Sequence, residues 1–545
     1  MSPICRVLSF VLVVAALLAV VGCDGLFYDL SQIGDELGCT QECVAPEHGT
    51  VACVDGLCEI SCDERFSLCG GQCVDMDNDN EHCGSCNESC GDNRCVAGNC
   101  TDCDPDATPF GGGEGTSSAP YLLCSPDHLE EMLDGEALGR PLTGHFSLYG
   151  DIDMEGASLG ASSTFGGVFD GGGNTISNLE VESRSGKSGL FSDIIDSGEI
   201  TNMKITNFEL SSSTDEIAGG LVADVGAGGL ISNVAMSDVR IENRNSMGAV
   251  VGKNRGIIDD VSVEGFSINL NEPESQRDFG GIAAINDGTI RDARAVGTIG
   301  NSTAVSFDFA GGLVGFNEGV IEDSMADVDF GGEANTSIGG LVGENTGLIR
   351  RAYTVGRIRG RFGVGGLVGK NIGDIEECYS GADVAGLDSV GGLVGDMAGD
   401  GEVHDSYATG DVERADLPGG SPLAYAGGFV GNMWPGTTIR KSYSTGTVGS
   451  GDVTDTRGGF AGYVNPEVEI FYSHWDLQRS SMGQAAGTGS DLSESIVEGL
   501  GTVEFRSSGA NGPFAGWDFG EIWEFGTAPD GEERPIFRWQ IDLEE

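Results

Sequence analysis

From about residue 188 to residue 475, short runs of valine, isoleucine and leucine alternate with polar pairs, and a glycine-rich box introduces each run. The clearest copy reads GGLVGFNEGVIEDS from Gly311. Its first glycine recurs at Gly219, Gly248, Gly280, Gly339, Gly365, Gly391, Gly427 and Gly458, with a degenerate start at Ser188. The interval is about 26 to 36 residues, the range of a stacked repeat.

Aligned on the box, the copies form columns. Two residues after the box stand Asn254, Asn286, Asn317, Asn345 and Asn371, preceded in the column by Val225 and followed by Met397, Met433 and Val464. A repeated amide flanked by apolar residues predicts a structural ladder inside stacked turns, each side chain bonding the next. An aliphatic column follows: Ile200, Ile231, Ile258, Ile290, Ile321, Ile349, Ile375, Val403, Ile439 and Ile470. Three residues on lies a smaller one: Met203, Val234, Val261, Ala293, Ser324, Ala352, Cys378, Ser406, Ser442 and Ser473. Between these two columns the first polar position runs Asp259, Arg291, Glu322, Arg350, Glu376, His404, Arg440. Its alternating sign predicts ion pairs between directly adjacent copies.

Short β-branched runs, glycine at corners and a constant register predict an all-β fold, a right-handed parallel β-helix or solenoid with N- and C-terminal caps. A propeller blade takes roughly 40 to 50 residues, longer than most copies here. The boxes at Gly311, Gly339, Gly365 and Gly391 resemble the GLUG-motif repeat family, as does the tyrosine after the small column, at Tyr353, Tyr379, Tyr407 and Tyr443. The resemblance covers most of residues 121–545 and implies a bacterial surface module; it implies no activity.

The flanks divide into further segments. Residues 1–22 have the form of an export signal, with Arg6, an apolar run from Val7 to Val21, and a small residue before Cys23. That run favours a lipoprotein signal over a spanning helix, so Cys23 is the expected lipidation site and the protein's link to a membrane. Residues 23–38 read as a tether. Residues 39–103 hold Cys39, Cys43, Cys53, Cys58, Cys62, Cys69, Cys73, Cys83, Cys86, Cys90, Cys95, Cys100 and Cys103, a small module held by disulfides in which Cys124 makes the set even. The run from Cys69 to Cys100 resembles the cysteine-rich stalks of bacterial surface lipoproteins. Cys83-x-x-Cys86 could also suit zinc, but an oxidising compartment favours disulfides; Cys378, alone in the small column, reads as an inert buried thiol.

Asp75, Asp77 and Asp79 alternate as in a calcium loop, but Asn80 and Cys86 stand where such a loop needs glycine and glutamate, so no metal is expected there. Residues 104–120 read as a linker. The solenoid with its N-terminal cap is assigned to 121–475; Ser125-Pro126 should start a short helix over the first rung. Residues 476–545 are expected to close the far end with Phe514, Trp517, Phe519, Trp523, Phe525, Phe537 and Trp539.

Net charge is -58, spread along the chain, which argues against nucleic acid and anionic lipid as partners. No cofactor is expected, with Ca2+ the one cation such a surface could attract. Catalysis by paired carboxylates would draw on the second outward column, Asp260, Asp292, Asp323, Arg351, Glu377, Asp405 and Lys441. A catalytic cluster should interrupt the repeat, and this column continues through it. The expectation is a lipid-anchored envelope protein, on the outer membrane or cell surface, binding a glycan or surface protein. A polysaccharide lyase or hydrolase and a purely structural component are the alternatives. Residues 271–278 and 416–425 are the insertions where a specific site is expected.

Overall fold

The computed structural model describes residues 44–541 apart from 55–56, 64, 92, 135–141, 161–162, 184–186, 213–216, 244–245, 271–277, 301–308, 331–336, 416–424, 450–455, 490–496 and 507–511. The chain forms two compact units, Met1–Thr101 and Asp102–Glu545.

In the first unit three antiparallel pairs are described: Gly49–Val54 with Leu57–Cys62, Ser67–Cys69 with Gln72–Val74, and Arg94–Val96 with Asn99–Thr101. Strands this short bury little apolar surface, so covalent links supply what a core cannot. Disulfides join Cys62 to Cys73, Cys69 to Cys86, Cys83 to Cys95 and Cys90 to Cys100. Cys83 and Cys86, the pair with metal-like spacing, thus belong to different bridges.

The second unit is a parallel β-solenoid built on sheets of 23, 12 and 9 strands and a smaller sheet of three. The long sheet holds the aliphatic column, with Ile200, Ile231, Ile258, Ile290 and Ile321 paired in unbroken register and the ladder continuing to Ile470. The 12-stranded sheet carries the VGxN strands, and the nine-stranded sheet the residues leading into each box. These in-register columns make one continuous core.

The box glycines sit where the nine- and 12-stranded sheets meet, and the reason is close approach. A Cβ on Gly340 would stand 2.1 Å from the carbonyl oxygen of Gly366 one rung on, and one on Gly339 2.0 Å from the carbonyl oxygen of Val342. Neither glycine has positive φ. The left-handed corners lie elsewhere, in the outward column running Asn202, Asn233, Asp260, Asp292, Asp323, Arg351, Glu377, Asp405 and Lys441. The expectation of glycine at every corner is therefore corrected: asparagine and aspartate, which tolerate this conformation best among residues with a Cβ, hold the first five positions.

Just inside the corners where the small column carries serine, that side chain replaces part of the ladder. Ser324 Oγ accepts from the Ala293 amide at 3.1 Å and donates to the Glu322 carbonyl at 2.6 Å; Ser406, Ser442 and Ser473 repeat the arrangement.

The solenoid starts at Tyr121–Leu123, paired with Phe146–Leu148. The helix expected after Ser125 spans Pro126–Asp134, Ser125 Oγ accepts from the His128 amide, and Leu129, Met132 and Leu133 enter the core. Residues 104–120 fold back onto this first strand. Gly111 donates to the Leu122 carbonyl, Leu122 to the Gly112 carbonyl, and Cys103 is bonded to Cys124, so the segment is held at both ends. At the far end one more turn, without a box, follows Trp475: Ala486–Gly489 pairs with Ala461–Val464 and Val497–Leu500 with Ser473–Asp476.

The largest differences in repeat length are taken up between the long or three-stranded sheet and the nine-stranded sheet, where the connection ranges from Leu387 alone to residues 415–424. The turn after the VGxN strands varies only from two residues, as at 255–256, to four, as at 398–401.

Candidate functional site

The five asparagines meet as a ladder. Nδ2 of Asn254 donates to Oδ1 of Asn286 at 2.8 Å, Asn286 to Asn317 at 2.7 Å, Asn317 to Asn345 at 2.8 Å and Asn345 to Asn371 at 2.8 Å. All five are fully buried. The amides therefore hold the fold together and offer nothing to a ligand.

The outward charges pair largely as their signs predict. Arg291 binds Asp259 through both nitrogens at 2.7 Å, Arg350 reaches Glu322 at 2.5 Å, and His404 Nε2 lies 3.2 Å from Glu376. The Asp405 hydrogen bond, then the Glu376 charge, raises the His404 pKa above its ordinary value. Arg440 stands beside His404 in the ladder, as expected, and forms its ion pair with Glu402 at 3.6 Å.

The corner column was the strongest place for acid–base chemistry. Partial burial, then the charges of Asp323 and Asp259, push the Asp292 carboxyl up, and burial does the same to Glu377. Asp323, however, gives both oxygens to Arg351, at 2.6 and 2.5 Å. Asp405 accepts from Trp523 Nε1 at 3.0 Å and lies 3.1 Å from His404 Nδ1. A two-carboxylate mechanism needs both groups open to substrate. Of the corner carboxylates on either side of Asp292, Asp323 is closed off by Arg351 and only Asp260 stays exposed.

That flank is the C-terminal segment. Tyr353, Tyr379, Tyr407 and Tyr443 stack at 4.8, 5.0 and 4.9 Å, nearly parallel, and His474 stands next in the column. Phe505, Phe514, Trp517, Trp523 and Phe537 pack on this stack, along the side of the solenoid. The aromatic residues are thus consumed by packing across rungs. Burial lowers the His474 imidazole to about 4 and pushes the Cys378 thiol up to about 12, leaving the latter unreactive.

In the first unit, Asp75 accepts from the Asp77 amide and Asp79 from the amides of Glu81 and His82, so these carboxylates brace turns. Cys58 is disulfide-bonded. Cys23, Cys39, Cys43, the Cys53 side chain and the insertions 271–277 and 416–424 lie outside the described residues.

One feature had no signal in the columns. Gly356, at φ +98°, ends the strand Tyr353–Val355, and ladder pairing to the previous rung stops at Asp327 and Val355. Beyond it the three-stranded sheet of Arg357–Arg359, Asp383–Gly386 and Val412–Arg414 begins. The bend opens a furrow of about 620 Å³ whose outer lining includes Asp329, Arg357, Arg359, Asp383, Asp411 and Glu413. A second hollow of about 370 Å³, reaching back to Gly265 and Thr298, shares Asp329 with it. The clue in sequence was YTVGRIR at Tyr353, where other copies have the pattern of YATGDV at Tyr407.

No family model matches the chain. It is 29% identical over 170 residues to a protein of Evansella cellulosilytica described as "Putative Gly-rich membrane protein", and 31% identical over 155 residues to "Halomucin" of Haloquadratum walsbyi. The matches take in 29% and 26% of this chain but only 16% and 2% of those proteins. A solved Bacteroides ovatus structure, described as a "putative immunoglobulin A1 protease", aligns over 79% of this chain and 95% of its own, at 14% identity and a TM-score of 0.33. Among the described residues no helix is long and apolar enough to cross a membrane.

Proposed function

We propose that the chain is an exported envelope protein of the GLUG-repeat type, tethered by a lipid on Cys23, whose solenoid presents an ordered acidic surface for adhesion to glycan or matrix. The observation that carries this reading is the corner column. Its charged groups continue from rung to rung as one outward row, with Asp323 closed off by Arg351 and Asp405 by Trp523 and His404, instead of interrupting the repeat with a cluster of unlike residues. A rigid, repetitive face suits many weak contacts along an extended partner. The similarity to a Gly-rich membrane protein and to halomucin agrees with a place in the envelope.

The test is a panel of polysaccharides and whole cells probed with the full chain, scored separately for retention and for cleavage. Retention without cleavage is expected. Cleavage abolished by Asp292→Asn would replace the adhesive reading with an enzymatic one, and absence of all retention would leave a structural role. Labelled fatty acid should enter the wild type and not Cys23→Ala; equal labelling would remove the anchor.

A further inference from the structure

The geometry points to the furrow at Gly356 as a binding groove for an acidic glycan, gripped by Arg357 and Arg359. This rests on the adhesive reading and assigns it a site and a ligand class.

Three observations converge. First, the four arginines of the rungs from Arg291 to Arg351 are neutralised from an adjoining rung: Arg291 by Asp259, Arg294 by Glu264, Arg350 by Glu322, Arg351 by Asp323. Arg357 and Arg359 have no ion-pair partner among the described residues, in a chain with 86 acidic and 28 basic side chains. They are exposed on one strand with Ile358 buried between them, so their forks project from the same side, about 7 Å apart along the strand. An unpaired guanidinium is suited to a planar carboxylate or a sulfate.

Second, the furrow crosses the rungs. From Asp329 through Arg357 and Asp383 to Asp411 it spans four successive rungs, about 14 Å at the normal strand spacing, and the second hollow, which shares Asp329, continues the line through Thr298 to Gly265. That length suits a polymer better than a small molecule. Because the furrow runs perpendicular to the strands, a peptide laid in it could not extend a sheet by backbone pairing.

Third, the lining is chemically mixed. Asp329, Asp383, Asp411 and Glu413 are acceptors, while Phe330, Ile358 and Val384 form an apolar floor. A sugar chain offers hydroxyl donors to the former and C–H faces to the latter. Carboxylates spaced along that chain would answer the two arginines. Opposite Arg359 in the ladder stands Ala385, whose small side chain leaves room beside the guanidinium.

The experiment measures binding of the full chain to a polygalacturonate oligosaccharide, a sulfated oligosaccharide, a neutral oligosaccharide of similar length and a lysine-rich peptide. It is run at about 0.5 M sodium chloride, where repulsion from the negative chain is screened beyond a few ångström. The expected result is preference for one or both acidic sugars, at least tenfold weaker in Arg357→Gln/Arg359→Gln. Arg357→Lys/Arg359→Lys should fall between them, because the charge remains without the fork. Circular dichroism melts of both variants should match the wild type. Carboxylated and sulfated arms separate the two anionic chemistries.

Undiminished binding by the glutamine variant, or preference for the neutral sugar or the peptide, would overturn the groove. The adhesive reading survives either result provided the protein still binds cells or glycans. Failure to bind any sugar, peptide or cell overturns both.

Discussion

Trp523 donates its indole N–H to Oδ1 of Asp405 at 3.0 Å, and both side chains are buried. The contact ties the C-terminal hairpin to the corner of a rung 118 residues earlier. It is one of a set, with Tyr407 Oη on Gln540 at 2.8 Å, Tyr443 Oη on the Pro535 carbonyl at 2.7 Å, and Arg479 and Arg534 both on Asp530 at 3.0 Å. The segment therefore acts as a strap across successive rungs.

Trp523→Phe should loosen that strap. Loss of a buried hydrogen bond to a charged acceptor costs about 1.5 to 3 kcal/mol, while the ring contacts to Trp517 and Phe537 are largely kept. Hydrogen exchange in residues 512–541 should speed up tenfold or more, with little change near Ile231. Uniform acceleration along the solenoid would show that the strap and the rungs are one cooperative unit.

The amide ladder predicts a position effect. Asn317→Met removes the acceptor of Asn286 and the donor to Asn345, whereas Asn371→Met removes a partner only from Asn345, next to Met397. The first should cost roughly 2 to 4 kcal/mol in denaturant unfolding and the second about half of that. Equal losses at both sites would mean the ladder bonds contribute little beyond packing.

Cys378 stands where Ser406 stands one rung later. Its Sγ lies 3.1 Å from the Glu376 carbonyl, as Ser406 Oγ lies 3.0 Å from that of His404. Cys378→Ser should be tolerated within about 1 kcal/mol, and Cys378→Val should be clearly worse, because it fills the site without a polar atom. A thermal melt of each variant decides this; a stable valine variant would argue against any polar role for the column.

Two buried groups titrate with opposite signs. Burial raises Asp396 to about 6, so its folded state favours the proton and its contribution to stability is lost as pH rises from about 4 through 6. His474, lowered to about 4, favours the neutral ring, so stability is lost as pH falls from about 6.5 towards 4. Asp396→Asn should raise the melting temperature most at pH 7.5, and His474→Phe most at pH 4.5. Were both variants to shift the melt equally at the two pH values, neither group would be titrating as described.

Much of the solenoid was legible because its columns have a period that survives substitution. Ile200 to Ile470 and Asn254 to Asn371 keep one place relative to the box, and stacking follows once each column needs one environment. The box glycines were noticed for a different reason than the structure gives, since sequence does not distinguish a left-handed corner from a backbone pressed against its neighbour. The added turn at residues 486–500 lacks a box, and its place is set by pairing with Ala461–Val464 and Ser473–Asp476. The furrow begins where Gly356 ends one ladder; the same glycine recurs three residues after the tyrosine at Gly410 and Gly446, but its recurrence does not tell a strand end from a close approach.

The joint at which repeat length varies most has a mechanical meaning. Within a strand an inserted residue would shear the stacked columns and reverse the facing of the residues beyond it. At the connection that is Leu387 in one copy and residues 415–424 in another, the chain can lengthen while the stack above and below is undisturbed. New decorations can thus be spliced along a single edge of the rod, giving each copy its own fringe on an unchanged spine.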